Sequence, residues 1–87
     1  METRRVVSAV SAIGDRDIKL DQTCTDIVIN NNSGSDITFS VANGKVAIVD
    51  SFVLRDGQSI EWFLNAFDRI TVTASGFYQV VAGKGGR

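Results

Sequence analysis

Apolar residues in this chain recur at every second position far more often than at every third and fourth, and β-branched residues fill most of those positions. That period predicts strands from end to end. The expected strands are 4–13, 17–20, 25–30, 36–42, 46–54, 58–64, 67–74 and 77–82. Between them lie short runs rich in Gly, Asn, Asp and Ser, whose positive-φ conformations and local side-chain bonds make turns. The clearest alternation is Asp36-Ile37-Thr38-Phe39-Ser40-Val41, with Ile37, Phe39 and Val41 on one face, as in a half-buried antiparallel strand. Asn43-Gly44 then fits a type I′ hairpin turn joining 36–42 to 46–54. A helical alternative exists over 58–67, where Ile60, Phe63, Leu64 and Phe67 would share a face. Gly57 and the crowding of aromatic residues argue against it.

Two segments are apolar on both faces. In 46–54, Val46, Ile48, Phe52 and Leu54 oppose Ala47, Val49 and Val53; in 77–82, Phe77 and Val81 oppose Tyr78, Val80 and Ala82. A strand of this kind must be covered twice. The cover is expected from a partner subunit; the alternative is that the N-terminal segment shields central strands of a sandwich. Trp62 and Phe63 are neighbours, so a strand points them to opposite faces. Trp62 is expected in the core beside Ile60 and Leu64, with Phe63 facing a neighbour or water. An exposed Trp62 would instead offer a sugar-stacking platform or a protein hot spot.

Length limits the architecture. With 87 residues, the chain buries only about 60–65% of its extended surface, which supports one core and one domain over 1–87 and makes oligomerisation helpful. The formal charge is −1, but it is uneven. Residues 15–68 hold nine acids against four bases, while the bases at the ends include Arg4, Arg5, Lys84 and Arg87. Residues 1–5 and 83–87 read as flexible basic ends. A near-neutral total argues against nucleic-acid binding, which needs a basic stripe. No run approaches the roughly 18 apolar residues of a membrane-spanning helix. Residues 1–14 imitate a weak secretory signal, but Ser8 and Ser11 interrupt the apolar stretch, and a first strand is the better reading. Asn31-Asn32-Ser33 has the form of a glycosylation acceptor without the secretory context that would make it matter.

Candidate chemistry is sparse. Histidine is absent, which removes the commonest general base and nitrogen ligand. Cys24 is the single cysteine, so no disulfide or iron–sulfur cradle forms within the chain; it is expected to be a small core residue, and such usage fits a reducing compartment or a particle assembled inside one. Asp15, Asp17 and Asp21 suggest calcium, but an EF-hand reading from Asp15 puts Lys19, Leu20 and Asp26 where an oxygen ligand, Gly and Glu are needed. Glu61 and Asp68 are the best carboxylate pair for acid–base work, in a module with little room for a cleft. Ser33 and Ser59 have no activating base. The expectation is a protein that is not an enzyme and that uses no cofactor and no metal.

From Asp26 to Gly76 the chain follows a recurring all-β grammar: Ile27-Val28-Ile29-Asn30 before Ser33-Gly34, then Asp36-Ile37-Thr38-Phe39, Arg55-Asp56-Gly57-Gln58-Ser59-Ile60, and the Ile70 to Ala74 run. This pattern resembles immunoglobulin-like and jelly-roll modules, and especially the decoration or cement proteins of tailed bacteriophages. Immunoglobulin domains proper carry two cysteines around a core Trp, and this chain has one. The resemblance implies an antiparallel two-sheet sandwich, either jelly-roll or immunoglobulin-like Greek key, with a small β-barrel as the alternative. It also implies a virion structural protein made in the host cytoplasm, dimeric or trimeric, that bridges subunits of the major capsid protein. Val49, Val53, Phe63, Phe77, Tyr78 and Val81 would then make subunit or capsid contacts, and Arg4, Arg5, Lys84 and Arg87 would meet an acidic shell. A carbohydrate- or host-surface-binding module of a phage fibre is the second reading.

Overall fold

A computed structural model describes residues 5 to 84. The chain is all-β: β1 (Arg5–Ile13), β2 (Arg16–Asn32), β3 (Ile37–Asn43), β4 (Val46–Leu54), β5 (Ser59–Thr73) and β6 (Phe77–Lys84). They hydrogen-bond as one antiparallel sheet in the order β1-β6-β2-β5-β3-β4. The expected strands 17–20 and 25–30 are two halves of β2, and 58–64 and 67–74 are two halves of β5. The helical alternative over 58–67 is therefore strand. Gly83 and Lys84, read as the start of a basic tail, are the last residues of β6, and Arg5 is the first of β1. Arg4 and Arg87 lie outside the described residues.

The long β2–β5 ribbon bends in the middle. Its register passes from Lys19↔Arg69 to Cys24↔Phe67 and then to Asp26↔Phe63. Residues 20–23 of β2 thus face Asp68 alone, and residues 64–66 of β5 face Thr25 alone. Extra residues on alternate sides of a ribbon coil it sharply. The bend folds the sheet onto itself, and the aromatic contacts measure how far. Phe39 pairs with Val72 on β5, and Trp62 precedes Val72 by ten positions on the same strand, a separation of about 33 Å if the strand were straight. Yet the Phe39 and Trp62 ring centroids are 5.8 Å apart. The molecule is 18 Å across its shortest axis, which fits two layers about 10 Å apart with their side chains. One layer is β1, β6, the second half of β2 and the first half of β5. The other is the first half of β2, the second half of β5, β3 and β4.

Apolar side chains from both layers fill the space between. Ile27, Ile29, Tyr78 and Val80 come from one layer, and Ile37, Phe39, Val41 and Val72 from the other. Cys24 and Phe67, paired at the bend, are both fully buried and plug the fold line. The open end opposite the bend is tied by Asn31. Its Nδ2 donates to the carbonyls of Leu54 (2.8 Å) and Ser35 (2.9 Å), and its Oδ1 accepts from the Ser33 amide and hydroxyl. A second close approach is at Gly76, where a Cβ would lie 2.8 Å from the Ser33 Cα, so only glycine fits.

The β3–β4 hairpin departs from expectation in two ways. Asn43 pairs with Val46, so the turn residues are Gly44 and Lys45, and Gly44 has φ 58°. Positive φ at the first central residue alone is the pattern of a type II′ turn, not I′. Asn43 instead anchors the loop, its Nδ2 donating to the Ala66 carbonyl at 3.0 Å. Further along, Ser51 has φ 55°, and the register shifts between Phe39↔Phe52 and Val41↔Val49 and again before Ala42↔Ala47. These bulges reset which side chains point inward. Val49 lies opposite buried Val41 and packs against the core, so β4 does not present the second apolar face its sequence suggests.

Candidate assembly surface

Paired residues in an antiparallel sheet share a face, so the register defines the outer surface row by row. On the layer of β1, β6 and β2, Tyr78, Val80 and Ala82 point inward and are buried. The intervening positions point outward. Ile13 lies beside Phe77; Ser11, Gln79, Asn30 and Ser59 form the next row; Ala9, Val81, Val28 and Glu61 the third; Val6, Gly83, Asp26 and Phe63 the fourth. Much of this face is hydrocarbon in water: Ile13 is 75% exposed, Val6 62%, Phe63 58% and Phe77 39%. Scattered apolar residues are normal on a surface; here Ile13 and Phe77 at one end and Ala9, Val81, Val28, Val6 and Phe63 toward the other are separated by the polar row Ser11–Gln79–Asn30–Ser59, so the face offers two apolar clusters as candidate contacts.

The outer face of the second layer differs. Thr38 lies between Val53 and Thr73, Ser40 beside Thr71 and Asp17, and Ala42 beside Arg69, which faces Lys19. Arg69 grips Asp17 through two bonds, Nε to Oδ1 at 2.8 Å and Nη2 to Oδ2. The guanidinium holds the Asp17 carboxyl below the ordinary aspartate range, and the carboxylate in turn raises the arginine. Along β5 and the first half of β2, hydroxyls and charges form a surface suited to water; the apolar exposure of this layer is confined to β3 and β4, with Ala42 and Ala47 on the face and Val53 (52%), Val46 (66%) and Phe52 (40%) exposed along the β4 edge.

The sequence-derived contact residues divide accordingly. Phe63, Phe77 and Val81 share the same outer face, with Phe77 at one end of it and Phe63 at the other. Val53 is exposed but on the opposite face. Val49 is turned inward by the Ser51 bulge. Tyr78 is fully buried, its hydroxyl donating to the Gly14 carbonyl at 2.8 Å, and burial pushes the phenol above its ordinary pKa. Its neighbours in sequence gave no way to choose which of Phe77 and Tyr78 faces in; pairing with Asn31, itself held inside, decides it. Lys84 is half-buried at the end of β6. The reading missed Val6, Ala9 and Ile13 on β1 and Val28 on β2, which complete the surface. Their signal is the pairing of β1 and β2 on either side of β6, which no local period encodes.

Groups considered for chemistry have structural duties. Asp15 accepts from the Ala74 amide (3.0 Å), Asp17 is held by Arg69, and Asp68 accepts from the Gly44 amide (3.1 Å). Among the described residues, no three His, Cys, Asp or Glu side chains converge as metal ligands. A hollow of about 300 Å³ is lined by Lys19, Leu20, Gly44, Asp68 and Arg69, but its Asp68 and Arg69 are engaged as described. Another, about 470 Å³, is lined by Asn43, Val46, Ile48, Asn65 and Ala66 and has no ionisable group. Cys24 is fully buried, and burial pushes its thiol up, as for a small core residue. Trp62, expected in the core, is partly buried and packs against its margin, with the Phe52 and Phe39 ring centroids at 4.8 Å and 5.8 Å.

No protein-family model and no curated protein matches this chain. Solved structures match its fold. PirA superposes with a TM-score of 0.52 at 13% identity, over 93% of this chain and 92% of PirA. A Bacillus endospore appendage protein, from appendages that form disulfide-linked pili, gives 0.50 at 16% identity, over 97% and 81%. Hydroxypropylphosphonic acid epoxidase from S. wedmorenis in complex with fosfomycin gives 0.50 at 11% identity over 87% of this chain, which spans 41% of the epoxidase. These likenesses concern the fold.

Proposed function

We propose that this chain is a non-enzymatic structural protein that acts by assembly, and that its setting is a virion shell, where it decorates or cements subunits of the major capsid protein. The observation that carries the reading is the apolar outer face of the β1-β6-β2 layer, with Ile13, Phe77, Val6 and Phe63 open to solvent on a rigid sheet. Burying that face against a repeating lattice releases water from hydrocarbon at every copy, and many modest contacts sum to high avidity. The virion setting rests on the resemblance of the strand-and-turn grammar to phage decoration proteins. The engagement of Asp15, Asp17 and Asp68 in turn and strand contacts favours a structural role over catalysis. The packing of Trp62 against Phe39 and Phe52 in one three-ring cluster favours assembly over a sugar-stacking platform at this residue.

Sedimentation with and without purified capsids tests the proposal. A lattice protein co-sediments and saturates at a simple fraction of the capsid subunit count. Free protein that stays in the supernatant at saturating shell concentration would remove the virion setting.

A further inference from the structure

The two edges of the sheet are guarded unequally. β4 ends the sheet on one side with Ser51 in positive φ, two register shifts against β3, and an exposed Asp50. The Ser51 amide is already donated to the Ser40 hydroxyl at 3.0 Å. Bulges and charges of this kind prevent a further strand from pairing. β1 ends the other side with none of them over its C-terminal part. From Ser8 to Ile13 it keeps unbroken register with β6, Ser8↔Ala82 through Ile13↔Phe77. Residues 6–13 contain no charge and no proline, and no strand lies beyond β1 among the described residues. Its outward backbone groups form a template for a strand from another chain.

We infer that β1 pairs antiparallel with β1 of a second copy, forming a two-fold dimer centred on Ser11. A second copy fits because the edge is self-complementary. An uncharged strand meets itself with no like charges opposed, and the two-fold closes after one partner instead of growing a fibre. Side-chain alternation then restricts the register, since paired residues must share a face. Ser8, Val10 and Ala12 lie on the core side and Ala9, Ser11 and Ile13 on the outer side. Only registers that pair even with even and odd with odd preserve both faces. Centring on Val10 would put Ile13 opposite Val7, where β1 is irregular between Val6 and Ser8. Centring on Ser11 puts Ile13 opposite Ala9 and Val10 opposite Ala12. Ile13, the most exposed large apolar residue named above, then extends the Ala9–Val81–Val28 row of its partner, and the core side continues through Val10 and Ala12.

This inference deepens the assembly reading by naming the partner and the surface, and its test uses the free protein without shells, so either can fail alone. Sedimentation velocity over a series reaching about 1 mM detects a contact as weak as about −4 kcal/mol. The expected mass is twice the 9.4 kDa of the chain. Ser11→Lys, at an exposed position, sets two ammonium groups across the dyad and returns the protein to monomer with its circular dichroism spectrum unchanged, while Ser11→Thr keeps the dimer. Ser11→Cys, directly opposite itself within about 4.5–5.5 Å between Cβ atoms, oxidises to a covalent dimer; Ala9→Cys, offset from its copy, does not. A monomer throughout the series overturns the proposal, as does a mass above the dimer. Cross-linking through Ala9→Cys in preference to Ser11→Cys overturns the register.

Discussion

The two outer faces of the molecule are cut from the same sheet and share two of its strands, yet they meet water differently. β2 contributes Asp17 and Lys19 to one and Asp26, Val28 and Asn30 to the other; β5 contributes Arg69, Thr71 and Thr73 to one and Ser59, Glu61 and Phe63 to the other. The two strands cross from one face to the other at the bend, where residues 20–23 and 64–66 have no one-to-one partners, and the apolar residues of the first face come mainly from the β1 and β6 that lie beside them. The bend thus does more than close the core. It separates a face that a chain of this size can leave in solvent from one with a net cost for doing so.

The largest expected effect comes from removing the bend. Phe67 is fully buried opposite Cys24, and Phe67→Ala should cost about 3–5 kcal/mol in urea unfolding; a loss under about 1 kcal/mol would show that the fold line holds without its plug. Next is the tie at the open end. Asn31→Ala leaves the Leu54 carbonyl without its side-chain donor inside the protein, and a loss of about 1–3 kcal/mol is expected by the same measurement. A change at the guarded edge acts in the other direction. Ser51→Gly relieves a positive φ that a side chain tolerates poorly, and should raise stability by about 0.5–1 kcal/mol, read as an increase in melting temperature.

The smallest effect lies on the polar face. Because Arg69 lowers the folded-state pKa of Asp17, the pair adds stability above the unfolded aspartate pKa and loses it as pH falls through the folded value. The side chains are 48% and 38% exposed, so solvent screens much of the gain. Melting curves of the protein and of Asp17→Asn should differ slightly at neutral pH and converge in acid; a gap that persists in acid would assign the difference to something other than the ion pair.

Much of the all-β fold was legible because alternation is local. Ile37, Phe39 and Val41 face the core as their period requires, and the aromatic neighbours Trp62 and Phe63 separate inward and outward as a strand dictates. The bend was not legible. Gln22, Thr23, Asn65 and Ala66 look like breaks between strands, and only their register across β2 and β5 turns two apparent gaps into one fold line. The candidate surface was half readable for the same reason. Phe77 and Val81 stood out by the apolar character of β6 on both sides, whereas Val49 was misplaced by a bulge at a serine, a residue that carries no strong positive-φ signal. Ile13 and Val6 needed the knowledge that β1 lies beside β6.

A matched pair of charge insertions addresses the contrast between the faces most directly. Val81→Lys stands in the apolar outer row and Thr71→Lys in the polar one, and both side chains point away from the core. Measured by co-sedimentation with purified capsids, Thr71→Lys should bind as the unaltered protein does and Val81→Lys should stay in the supernatant, both remaining folded by circular dichroism. Equal binding by the two variants, or loss in Thr71→Lys alone, would contradict the assignment of assembly to the β1-β6-β2 face.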